Sequence, residues 1–164
     1  MNDRLNSDRW LAGTCAACLA AVGMALMSQH VFGMQPCPWC VLQRLVFLAI
    51  ALVCGFGWVW RAARARAVTA GLGLVLALAG VAAALWQHFQ AAASASCRLT
   101  LADRIVSSWL SLDTLLPAVF SARASCADAA VDLLGVPYEF WSLAVFAAVG
   151  VALLRTLRAT LSAA

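Results

Sequence analysis

The sequence predicts an all-α membrane protein: a four-transmembrane-helix bundle with one long loop carrying short helices. Three observations lead there. The 164-residue chain is 65% hydrophobic and only 11% charged, with a mean hydropathy of +0.91, against roughly 45–50% apolar residues in a soluble domain. Four apolar stretches, at about 10–28, 41–60, 68–86 and 140–157, each match the roughly 17–25 residues that cross a bilayer. Arginines gather at alternate ends of these stretches. The length leaves room for one integral membrane domain, 1–164. The net charge of +4 is modest, and no basic run interleaved with aromatics points to nucleic acid.

The first stretch, Trp10–Ser28, follows Arg4 and Arg9. Those arginines resemble the charged start of a signal peptide. The apolar part is longer than a signal core and no small-x-small site follows it, so a retained helix is expected. The second stretch, Val41–Trp60, holds one charge, Arg44, and an ionisable residue inside a span invites a functional reading. Arg61, Arg64 and Arg66 fill the short connection to the third stretch, Val68–Trp86, while Arg155 and Arg158 mark the end of the fourth, Phe140–Leu157. No stretch contains Asp or Glu. By the positive-inside rule both termini and the short connection are cytoplasmic. The loops at about 29–40 and 87–139 then face the other side, although the second carries Arg98, Arg104 and Arg123. In a bacterium this means the inner membrane, with these loops in the periplasm. Trp10, Trp58, Trp60, Trp86 and Trp141 fall at span ends, where an amphipathic indole meets both lipid and water.

The long loop has patterning of its own. Leu112, Leu115, Leu116, Val119 and Phe120 form a helical stripe, which Pro117 should interrupt. Either a short amphipathic element lies on the membrane surface, or the loop folds on its own leucines. Ser125 and Asp128 have the spacing of a helix start, and Gly135 with Pro137 supplies a stop. Cys126 is then expected in the first turn of a short helix.

Seven cysteines carry the chemistry. Cys15, Cys18 and Cys54 lie inside spans, where cysteine behaves as a small hydrophobe. Cys37 and Cys40 form a C-x-x-C pair within Pro36-Cys37-Pro38-Trp39-Cys40, where a polar loop enters the second span. Pro38 suits a first helical position, which puts Cys40 in the first turn, among free backbone N–H groups that favour a thiolate. Arg44 follows at i+4 on the same face. A structural disulfide or half a metal site would be the plainer readings, but His30 and His88 are too dispersed to complete a metal site, and none is expected. Cys97 and Cys126 look like a second pair. Linking them would close a loop worth up to ~3.6 kcal/mol, and spacing alone leaves open whether such a bridge is structural or redox-active.

Taken together, these residues resemble the DsbB family of bacterial inner-membrane disulfide-generating proteins. The likeness covers nearly the whole chain. It rests on the four spans, the C-x-x-C entering the second with Arg44 after it, and two loop cysteines between the third and fourth. More specific matches are Trp109-Leu110-Ser111-Leu112-Asp113, Pro117-Ala118-Val119-Phe120, Cys126-Ala127, Leu134-Gly135, Pro137 and Trp141.

The resemblance implies a protein dithiol:quinone oxidoreductase. Cys97 would form the mixed disulfide with a DsbA-like periplasmic thiol oxidase. Cys126 would hand electrons to Cys37. Cys40 would lie against the ring of a membrane quinone, ubiquinone or menaquinone, with Arg44 holding it. His88 would match a family histidine near the quinone. Pro38-Trp39 departs from the aliphatic pair expected inside the C-x-x-C, and the stretch from His88 to Cys97 is short.

Three other classes compete. A vitamin K epoxide reductase-like enzyme has paired cysteines too, but its membrane-proximal C-x-x-C follows the loop cysteines, whereas here it precedes them. A four-span scaffold or receptor with purely structural disulfides would resist mild reductant and copurify without quinone. A b-type haem protein using His30 and His88 would show a visible spectrum.

Overall fold

A computed structural model describes residues 2–60, 62–91, 101–129 and 131–162. Cys97, Arg61 and Arg98 lie outside the described residues. Four helices are long and apolar enough to cross a membrane: α1 (Asn2–His30), α2 (Pro38–Trp60), α3 (Ala63–Trp86) and, last in the chain, α7 (Tyr138–Ser162). The protein is an all-α membrane protein of four-helix type. Each helix runs beyond the apolar stretch that announces it, because a helix continues through polar flanking turns once its hydrogen-bond ladder is nucleated.

Between α3 and α7 the chain forms small elements. Gln87–Ala91 continues α3 as a π-helical turn. Next come α4 (Leu101–Asp103) running into a π-helical Arg104–Trp109, α5 (Leu112–Leu115), α6 (Pro117–Phe120), β1 (Asp132–Leu133) and β2 (Val136–Pro137). The leucine stripe is indeed cut at Pro117, which opens α6. Phe120 is buried, while Leu115 and Leu116 are exposed.

Two local expectations are corrected. Ser125 and Asp128 do cap each other: Asp128 N–H donates to Ser125 Oγ at 3.1 Å and Ser125 Oγ–H to Asp128 Oδ2 at 2.6 Å. The described result is a single turn over 126–129 rather than a longer helix. Gly135 does not stop a helix. It shares the tip of the antiparallel β1–β2 hairpin with Leu134, at φ +77° and +56°, the paired left-handed conformation of a two-residue hairpin turn.

The long helices form a ring in which α1 and α3 each pack on both α2 and α7. Its centre is an apolar cluster including Leu11, Cys18, Ile50, Cys54, Phe146 and Leu153. Phe47 and Phe146 stack with centroids 3.9 Å apart and planes 2° from parallel. Small residues allow this closeness, as they do where lipid supplies no hydrophobic drive for helix association. A Cβ on Gly80 would overlap the Phe146 ring, and one on Gly57 would overlap Thr69. At one end of the bundle Arg66 pairs with Asp8 at 3.0 Å, tying α3 to α1. The five tryptophans expected at span ends are all exposed. The opposite end carries the C-x-x-C.

Candidate active site at the start of the second helix

Pro38 opens α2 as its first residue. Cys37 therefore sits at the cap. Its carbonyl accepts Val41 N–H at 3.0 Å, and its sulfur accepts Cys40 N–H at 3.3 Å, the place an N-cap side chain normally fills. The two free sulfurs lie 2.9 Å apart. The hydrogen bond to Cys40, with burial adding to it, raises the Cys37 thiol above its ordinary range. Cys37 is fully buried. Trp39 is nearly so, with its ring 6.4 Å from that of Trp86.

The loop is pinned to this cap. The Pro36 carbonyl accepts both Arg123 N–H at 3.0 Å and Ala124 N–H at 3.3 Å. Cys126, two residues further on, is buried and disulfide-bonded. Cys37 and Cys126 share one apolar cluster with Trp39, Val41, Val106 and Phe120, and Cys40 packs against it. Cys97 lies outside the described residues.

Arg44 is buried. Its Nη1 donates to Gln29 Oε1 at 2.6 Å and to the Val119 carbonyl at 3.0 Å, and Nη2 to the Ala25 carbonyl at 3.2 Å. Among the described residues no carboxylate pairs with it. The guanidinium thus joins α1, α2 and α6 beside the dithiol.

Cys40 and Arg44 line two cavities. One, of about 450 Å³, reaches Gln35, Arg123 and Asp128 in the loops. The other, of about 300 Å³, has a mainly apolar wall including Met24, Phe47, Leu134 and Trp141, and a polar end at Cys40, Gln43, Arg44 and Gln87. Tyr138 borders both.

Sequence reasoning missed the amides. Gln87 Nε2 donates to Cys40 Sγ at 3.3 Å, and Gln43 Nε2 donates to Gln87 Oε1 at 2.8 Å. The available signal was an amide inside an apolar run one helical turn from Cys40. His88 turns away, its Nδ1 2.8 Å from Glu139 Oε1, and lines neither cavity. His30 Nε2 lies 3.1 Å from the Ala118 carbonyl, so the two histidines have separate partners.

A family model described as "Disulfide bond formation protein DsbB" matches residues 7–156. Disulfide bond formation protein B of Herminiimonas arsenicoxydans is 32% identical over 154 residues, covering 92% of this chain and 95% of the relative. Disulfide bond formation protein B 1 of Pseudomonas savastanoi pv. phaseolicola is 36% identical over 132 residues, 79% of this chain and 76% of the relative. The protein of that name in Pseudomonas fluorescens is 35% identical over 149 residues, 88% of each. No solved structure matches the chain. With its apolar four-helix bundle and paired thiols, the chain belongs to the DsbB family, multi-pass membrane oxidoreductases of disulfide bond formation.

Proposed function

We propose that this protein reoxidises a DsbA-type thiol oxidase through Cys97–Cys126 and Cys37–Cys40, and passes the electrons to a membrane quinone. The observation that carries the reading is the position of the dithiol. Cys37 faces the cluster holding Cys126, while Cys40 faces a cavity with apolar walls.

The thiol steps balance as exchanges. A thiolate of the reduced partner attacks Cys97, and the Cys97–Cys126 bond breaks with its electron pair leaving on Cys126. The partner's second thiol resolves the mixed disulfide and leaves oxidised. The Cys126 thiolate attacks Cys37 of an oxidised Cys37–Cys40 bond, and the pair leaves on Cys40. Cys97 then closes on Cys126 again and releases Cys37 as a thiol. The Pro36 carbonyl holds the 123–124 segment, and so the attacking sulfur's strand, against the cap.

The cavity residues suit a quinone. At about 300 Å³ it sits at the lower end of ligand pockets, about 300–1,000 Å³. Its apolar wall suits a ring and tail, and its amides and Arg44 suit carbonyl oxygens. Bound there, a quinone supplies a two-electron, two-proton acceptor that the protein lacks. Cys40 delivers the electrons. Arg44 favours negative charge at that end of the cavity, since among the described residues no carboxylate pairs with its guanidinium. His88, part-exposed and paired with Glu139, lines neither cavity and is given no part in this scheme.

Arginine placement supports cytoplasmic termini and periplasmic thiols in a bacterial inner membrane. The test is purified protein with reduced DsbA-type oxidase and ubiquinone or menaquinone, followed by quinone absorbance. Turnover that needs all four cysteines is expected. Absence of quinone reduction with either acceptor would end the proposal.

A further inference from the structure

We propose that Gln87 is the hydrogen-bond donor that prepares the Cys40 sulfur to receive an electron pair, and that Gln43 and Ser142 fix which end of the Gln87 amide meets it. This deepens the reading above and rests on Cys40 being the sulfur that faces the cavity.

The chain of contacts has a direction. Ser142 Oγ lies 2.5 Å from Gln43 Oε1. An amide oxygen carries no proton, so the hydroxyl donates. Gln43 Nε2 donates to Gln87 Oε1 at 2.8 Å, and Gln87 Nε2 donates to Cys40 Sγ at 3.3 Å. Every donor points toward the sulfur. The residues come from three elements: Gln43 from α2, Gln87 from the turn after α3, and Ser142 from α7. The Glu139 carbonyl lies 2.9 Å from the same Oγ and competes for its one proton, with the shorter contact to Gln43 favoured.

An amide has one donor end and one acceptor end. Flipping Gln87 would set its carbonyl against Cys40 and its NH₂ against the NH₂ of Gln43. Both glutamines are buried, 4% and 5% exposed, where a mispaired amide is costly. The Gln43–Ser142 pair therefore selects one orientation of Gln87. Hydrogen bonds aligned in series polarise one another, which strengthens the last donor. When Cys126 attacks Cys37, the Cys37–Cys40 bond breaks and its electron pair leaves on Cys40, where this N–H waits. Gln87 touches the reacting atom. Gln43 and Ser142 are positioning residues.

The test uses full-length reduced protein in detergent without quinone. Iodoacetamide alkylation of Cys40 is timed at fixed pH by peptide mass spectrometry, because the rate follows the thiolate fraction. Gln87→Leu should slow it about tenfold, the scale of one hydrogen bond to a charged group. Gln87→Met, which keeps the unbranched length, should do the same and serves if the leucine variant does not fold. Gln43→Leu, which adds no charge and leaves Gln87 free to take either orientation, should slow Cys40 about threefold in the parent and no further in the Gln87→Met background, because Gln43 acts only through Gln87. Ser142→Ala should slow it about twofold. A Gln87→Met rate within twofold of the parent, or a Gln43→Leu effect that persists undiminished in the Gln87→Met background, would overturn the proposal. Quinone reduction by the parent protein is a separate measurement, so failure of the electron-transfer reading would be seen independently.

Discussion

Two sets of free thiols lie in one bundle and do not share a chemistry. Cys15, Cys18 and Cys54 stand in or against the central cluster of the bundle, among Leu11, Ile50 and Leu153. No hydrogen-bond donor reaches their sulfurs among the described contacts. Cys37 and Cys40, at the start of α2, meet each other, a backbone N–H, the Gln87 amide and two cavities. The difference is not the residue but what lies beside it: a dry apolar wall leaves a thiol inert, while donors and an open face make it usable.

The largest expected break in this comparison is Cys40→Ser, which should abolish quinone reduction. Full turnover in that variant would refute the relay. Next comes Arg44→Leu, which strips the donor from Gln29, Val119 and Ala25 at once. The apparent KM for quinone should rise about tenfold or more, the scale of a lost charge-assisted interaction. An unchanged quinone dependence would remove Arg44 from the site.

The third prediction sharpens the contrast inside the pair. In reduced protein iodoacetamide should modify Cys40 well before Cys37, because Cys37 is fully buried with its thiol raised above the ordinary range, while Cys40 borders two cavities. Raising the pH from 6 to 9 should leave Cys37 unmodified, since its titration is displaced upward. Peptide mass spectrometry reads both sites, and equal rates would contradict the assignment. Gly80→Val tests the other region. Its side chain would drive into Phe146, costing about 1–3 kcal/mol as overpacking does, measured as a lower thermal midpoint in detergent. The smallest effect is expected from replacing Cys15, Cys18 and Cys54 together by alanine, with quinone reduction within about twofold of the parent. A larger loss would show that the core thiols take part.

Much of this was legible in one dimension. Four long apolar runs need only composition and length to be recognised, and Pro38 announced both the start of α2 and the place of Cys40. Arg44 was legible as a lone charge in a span, although its partners were not: Gln29, Ala25 and Val119 come from distant parts of the chain. The Ser142–Gln43–Gln87–Cys40 chain depends on the register of three packed helices, which no local pattern encodes. The β1–β2 hairpin was misread because Leu134 adopts a left-handed conformation costing a non-glycine residue roughly 1–2 kcal/mol. Local propensity therefore argued against the turn that tertiary packing selects. The Pro36 clamp on Arg123 and Ala124 likewise joins backbone groups that no side-chain pattern marks.

The stacked Phe47–Phe146 pair has a consequence for the cavity. Phe47 forms part of the cavity wall, and Phe146 behind it is fully buried. Two face-to-face rings carry no hydrogen-bonding group, so behind the cavity wall a polar species meets only apolar surface. If the dithiol works as proposed, this apolar layer sets its chemistry apart from the far end of the bundle.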